Sequence, residues 1–233
     1  MSNDIAVREF DLPALSNDMA AAYAEEMEGL SFSYDRAKIP SGGGLTFEIG
    51  EDDDVDVTKE IVGVIVDHHP VNAYWASAYG GGNQPPDCSS MDGKIGTAFG
   101  DCKTCQYNQW GSDVATGGKL CKNQHRLYIL REGASLPILL TLPPTSLKVF
   151  GSYLSKRILE RGKLPRHVLT KIGLKKVNNS TGIAYSEVTF ARGDDLPESL
   201  RPEMDAYCAN LKGMTRSLSV ADEYTADDED QPF

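Results

Sequence analysis

Residues 88–121 read CSSMDGKIGTAFGDCKTCQYNQWGSDVATGGKLC, and the four cysteines in this stretch decide how the rest of the chain is divided. They are Cys88, Cys102, Cys105 and Cys121, the middle pair enclosing Lys103 and Thr104. A C-x2-C turn brings two thiols together, and two more cysteines at a distance complete a tetrahedron around one Zn²⁺. Gly93, Gly96, Gly100, Gly111, Gly117 and Gly118 surround them, with little apolar mass beyond Phe99 and Trp110. Such a loop buries too little to order itself, so a metal crosslink is expected to supply the missing folding energy. A redox pair would open a helix after a strand, and no helical pattern follows Cys105. Clustered cysteines without a preceding signal peptide also argue against a disulfide framework. The expectation is one structural Zn²⁺ held by all four.

With 80–125 set aside as an insertion, the flanking segments fall into order. Ile61, Val62, Val64, Ile65 and Val66 predict a buried strand over 61–66. Further strands are expected at 45–49, 127–142, 166–177 and 183–190. Ser16 or Asn17 caps a helix to about Glu28, and Pro143-Pro144-Thr145-Ser146 opens another. Gly162 ends that second helix, and a last one runs from Ser199 or Arg201 to about Leu218. A helix between the third and fourth of five strands is the order of an OB-fold. The expected fold is therefore mainly β with α additions: an OB-like five-stranded barrel, a four-cysteine zinc-loop insertion and flanking helices. Residues 1–44 form an N-terminal extension, 45–218 the barrel domain and 219–233 a disordered acidic tail.

The net charge of -11 is unevenly spread. Residues 1–60 hold 15 acids and 4 bases, and 222–233 hold 6 acids and no base. Between Lys94 and Lys176 there are 15 bases against Asp101, Asp113, Glu132 and Glu160. The field at a surface follows local charge, so the middle of the chain is expected to attract anions. Single-strand binders combine basic grooves with aromatic platforms. The candidate cations are Lys119, Lys122, Arg126, Arg131, Lys148, Lys171, Lys175 and Lys176. The candidate stackers are Tyr74, Trp75, Tyr107, Trp110, Tyr128, Tyr153 and Tyr185. Asp67-His68-His69 after a strand is similar to the metal motif of phosphoesterases, but adjacent strand residues face opposite ways and no companion motif is present. No catalytic residue is assigned, and the protein is expected not to be an enzyme.

Two resemblances sharpen these expectations. Asp227, Asp228, Glu229 and Asp230, closing through Gln231 on Pro232 and Phe233, resemble the C-terminal tip of bacterial and phage single-stranded-DNA-binding proteins. His69–Trp75, Gly81–Ser90, Gly118–Asn123 and Leu142–Leu147 resemble a family of phage and prophage replication proteins. The resemblance implies a single-stranded-DNA-binding protein of phage replication or recombination, whose tail recruits replication or recombination proteins. A zinc-containing replisome or recombination adaptor, a metal-dependent phosphoesterase and a DNA-mimic inhibitor are the alternatives. No segment is long and apolar enough for a membrane span, so a cytoplasmic or nucleoid location, without membrane partners, is expected.

Overall fold

A computed structural model describes Glu26, residues 33–50, 55–77, 84–179 and 182–217, and Val220. The strands are β1 (Ala37–Lys38), β2 (Phe47–Ile49), β3 (Asp56–Thr58), β4 (Glu60–Tyr74), β5 (Cys88–Ser90), β6 (Ile95–Gly96), β7 (Gly100–Asp101), β8 (Lys122–Leu130), β9 (Ile138–Leu142), β10 (Val168–Asn178) and β11 (Ala184–Asp195). Among the described residues the α-helices α1 (Pro144–Tyr153) and α2 (Arg201–Ser217) accompany them. The main sheet runs β11-β10-β4-β8-β9, with β5 added on β4. These strands pair antiparallel, and one isolated parallel bridge joins Leu139 of β9 to Arg36, just before β1.

β4 is the axis of the fold. Its β-branched run favours extended backbone, and both faces are covered. One face carries Ile61 and Ile65, with Leu127, Ile129, Leu140 and Ile172 of neighbouring strands; it packs on Phe150 and Tyr153 of α1 and on Phe47 and Ile49 of the small sheet. The other carries Val64, Val66, Tyr128 and Leu130 and packs on Met204, Tyr207, Cys208 and Leu211 of α2. Burial on both faces explains why the strand reads as a continuous apolar run. At about 25 cal/mol per Å² of apolar area, these two layers supply the main drive to fold.

The OB-like barrel is not formed. The strands divide into a three-stranded sheet, β1-β2-β3, the six-stranded sheet, and the β6-β7 pair, and these sheets are open. The fold is a mixed β-sheet and α-helix architecture. Helix order alone does not encode closure: β11 remains an edge, and α1 lies across a sheet face rather than plugging a barrel. β4 also outruns its predicted end, because Asp67, His68, His69 and Pro70 all pair with β8. The expected helix after Pro143 leaves α geometry at Leu154, continues as a π turn to Ile158, and ends at Gly162 with φ 66°. The predicted N-terminal helix, apart from Glu26, and the acidic tail lie outside the described residues. Among the described residues no helix is long and apolar enough to cross a membrane.

Candidate functional site

A β-bulge between Ile65 and Asp67 interrupts the register of β4 against β8. It turns the Asp67 carboxylate toward α2, where the side chain is buried. Arg216, in the last turn of α2, meets it with a fork: Nε donates to Oδ2 at 3.0 Å and Nη2 to Oδ1 at 2.8 Å. Nη2 also donates to the His68 carbonyl at 3.2 Å. Thr215 Oγ1 donates to Asp67 Oδ2 at 2.8 Å. Burial alone would raise the Asp67 pKa, but the hydrogen bonds from Arg216 and Thr215 outweigh it and hold the carboxyl below its ordinary value.

Beside this pair the sheet has a gap. β10 pairs with β4 only as far as Val64, and β5 pairs from Asn72 onward. Both use the edge opposite β8, so among the described residues no strand covers that edge from 65 to 71. The turn Pro165–His167 and α2 fill part of the space. What remains is a cleft of about 370 Å³, floored by Ile65, Val66, Asp67 and His68. Its walls are Pro165, Arg166 and a stripe of α2: Asp205, Cys208, Ala209, Lys212 and Arg216. Residues three and four apart share a helix face, which is why these α2 positions converge.

Three cations therefore meet two carboxylates in one cleft. Arg166 pairs through Nε with Asp205, which His167 Nε2 also contacts at 2.9 Å. Burial acts to raise the Asp205 pKa, and the bonds from Arg166 and His167 override it. Lys212 is exposed, and its ammonium has no ion-pair partner among the described residues. Burial pushes the Cys208 thiol up to about 12, so it is a neutral wall group.

On the opposite face of β4, His68 Nδ1 lies 2.9 Å from His125 Nε2, with Phe150 edge-on to the His68 ring. Burial, then the neighbouring His68, pushes His125 down to about 4. His69 points back toward α2, its Nε2 3.3 Å from Tyr128 Oη. The two histidines thus diverge, and the Asp67-His68-His69 phosphoesterase alternative has no common ligand set.

The cysteine loop departs from expectation in a different way. Cys88, Cys102, Cys105 and Cys121 line one small enclosed space with Tyr74, Phe99 and Tyr107. Yet among the described residues no group of three or more His, Cys, Asp or Glu is placed to hold a metal ion. The expected structural Zn²⁺ therefore does not stand. The loop also has other sources of order than the crosslink it was expected to need. Tyr74 stacks on Tyr107 at 4.2 Å between centroids, and Phe99 packs against both. Asp92, Asp101 and Asp113 each accept backbone N–H bonds in tight turns. Asn123 Nδ2 donates to Asn72 and Asn108, and Lys119 Nζ joins the same network.

The other predicted contact residues do not share a surface. Arg126 and Tyr128 lie on one face of β8, as their spacing required, but both are fully buried, Tyr128 under α2. Tyr74 and Tyr153 are buried too, Tyr153 bonded to Thr170 Oγ1 at 2.7 Å. Trp75 and Tyr107 are half-buried; Trp75 Nε1 donates to the Gln84 carbonyl. Trp110 is 81% exposed with Lys119 Nζ 5.7 Å from its ring. Lys122 stands opposite Ala73 and Lys171 opposite Val62, about 35 Å apart along β4 at a strand's rise. Lys171 and Lys175 are paired with Glu60 and Glu187, and Arg131 lies 3.6 Å from Asp56. Lys148 and Lys176 are exposed, and Tyr185 is half-buried. Asp227, Asp228, Glu229, Asp230, Pro232 and Phe233 lie outside the described residues.

The single-stranded-DNA-binding function, read as a closed barrel with a zinc centre, falls with both, and so does the zinc-containing adaptor. The Arg166–Lys212–Arg216 cleft was missed: Arg166 and Arg216 are 50 positions apart in sequence, and the bulge that turns Asp67 toward α2 leaves no compositional trace. No protein family, no curated protein and no solved structure matches this chain, so the resemblance to phage replication proteins has no support.

Proposed function

We propose that the protein is a non-catalytic binding protein whose cleft between β4 and α2 takes a small phosphate-bearing ligand. The observation that supports this reading is the excess of unused donors in an open cleft where cations outnumber carboxylates. Lys212 has no anionic partner among the described residues. Arg216 spends Nε and Nη2 on Asp67 and the His68 carbonyl, which leaves both N–H groups of Nη1. Arg166 engages Asp205 through Nε alone. Phosphate oxygens accept several such charge-assisted bonds at once, and a forked guanidinium suits them. The cleft volume also lies within the range of small-ligand sites.

Calorimetric titration with pyrophosphate tests the proposal. Binding should be measurable at low ionic strength and weaken with added salt. Lys212→Glu should cut affinity by about tenfold or more, equivalent to roughly 1.4 kcal/mol. Absence of binding to the wild-type protein at low salt would overturn the reading.

A further inference from the structure

The least expected member of this cleft is Asp67, a carboxylate at the floor of a site read as taking anions. Through space its charge repels a phosphate, so its presence calls for a compensating role. The hydrogen bonds supply one. Asp67 binds one edge of the Arg216 fork, at Nε and Nη2, and leaves the Nη1 corner outside the pair. The guanidinium is otherwise half-exposed at the end of a long side chain, whereas Asp67 is almost fully buried and held by Thr215. The fixed partner therefore sets the orientation of the mobile one. A guanidinium already held in place loses less rotamer freedom when a ligand arrives.

We infer that Asp67 is a positioning residue for the anion site: it holds Arg216 so that Nη1 is presented to the ligand, at a gain that exceeds its own repulsion. This rests on the reading of the cleft proposed above. Two views of Asp67 predict opposite signs. If it acts only through its charge, Asp67→Asn removes repulsion and tightens pyrophosphate binding. If it positions Arg216, the same change weakens binding, because an amide presents one acceptor where the fork needs two.

The experiment is pyrophosphate titration of the full chain in four forms: wild type, Asp67→Asn, Arg216→Lys and the double variant, each checked for a native near-ultraviolet spectrum. Asp67→Asn and Arg216→Lys should each weaken binding by about tenfold. The double variant should be no weaker than Arg216→Lys alone, since Asp67 acts only through the fork. A merely structural contribution would instead add to the Arg216→Lys loss. Unchanged or tighter binding by Asp67→Asn, or additive losses, overturns the positioning role while leaving the cleft as an anion site. Should Asp67→Asn fail to fold, Arg216→Lys decides alone: it keeps the charge and loses the fork, so unchanged affinity refutes the inference. A wild-type protein that binds no pyrophosphate removes the anion site and this inference together.

Discussion

Tyr128 Oη donates a 2.8 Å hydrogen bond to the carbonyl of Thr215, so a side chain from the middle of the sheet closes the last turn of α2. The carbonyls of a helix's last turn have no partner within the helix and must find one elsewhere. Here the partner comes from β8, 87 residues away in sequence. Thr215 then passes its own hydroxyl to Asp67, and the next residue, Arg216, grips the same carboxylate.

Tyr128→Phe should consequently destabilise the protein by about 1–2 kcal/mol, the cost of leaving a buried carbonyl unpaired. The ring would stay packed against Tyr34, so the core volume is unchanged. Urea unfolding measures the loss. Hydrogen exchange should place it in the last turns of α2, with β10 and β11 unaffected. Loss spread evenly over the sheet would show that Tyr128 acts as core filling rather than as a helix cap.

The buried histidines make stability depend on pH in a defined direction. His125 has its pKa pushed down from 6.5 to about 4, chiefly by burial. Below 6.5 the unfolded chain binds a proton that the native state refuses, so stability should fall as pH drops from 6.5 through about 4. His68 is shifted the same way by burial, and the two rings share one short contact. Asp67 is also depressed below its ordinary 3.8, so its stabilisation is present above that value and is lost as pH falls through its lowered native pKa. Urea midpoints measured across this range should decline in wild type and decline less in His125→Gln, which keeps a polar group near the position of Nε2. Parallel curves for the two proteins would remove His125 as the source.

How much of this was legible beforehand depends on the range of the interaction. The β-branched run from Ile61, the opposing directions of His68 and His69, and the Gly162 stop are local properties, and they hold. Sheet closure is not local. The same strand order serves a barrel or an open sheet, and which one forms depends on whether the first and last strands meet. Arg126 shows a second limit. Alternation put it on a face with Tyr128, but both side chains are fully buried, and alternation alone does not say which face of a strand is covered. The anion cleft needed a bulge, a gap in strand pairing and a helix stripe from three separate segments, none of which leaves a motif.

Gly63 offers a sharper test of the β4–β8 contact. A Cβ built there would stand 2.4 Å from the Leu130 carbonyl oxygen and 2.8 Å from Ile129 Cγ2. The first is backbone in the central sheet, which cannot swing aside. Gly63→Ala should therefore cost about 3 kcal/mol, at the upper end for overpacking. Gly151→Ala on α1 meets nothing within 4 Å and should be neutral or slightly stabilising. Thermal melts of the two variants compare them directly, and similar melting temperatures would mean that the strands separate more readily than their register indicates.

The cysteines make the last prediction. All five are free thiols, and burial differs among them: Cys88, Cys102, Cys121 and Cys208 are buried, while Cys105 is partly exposed. The thiolate is the reactive form, so both access and pKa govern the rate. Burial pushes Cys121 and Cys208 up to about 12, and the neighbouring Cys102, Cys105 and Cys88 raise Cys121 further. In the native protein a thiol reagent such as 5,5'-dithiobis(2-nitrobenzoate) should therefore react first at Cys105, with the other four modified only as the structure opens. Cys105→Ser should abolish the fast phase. The loop itself can then be perturbed without touching a thiol, because a Cβ at Gly96 would lie 2.9 Å from Cys88 Sγ and 3.8 Å from Cys102 Sγ. Gly96→Ala must displace the Cys88 sulfur, and it should add Cys88 and Cys102 to the fast phase while leaving Cys208, under α2, as slow as before. Mass mapping of the labelled peptides identifies each site. Fast labelling of Cys208 in that variant would mean that the loop and the α2 core open as one unit rather than separately.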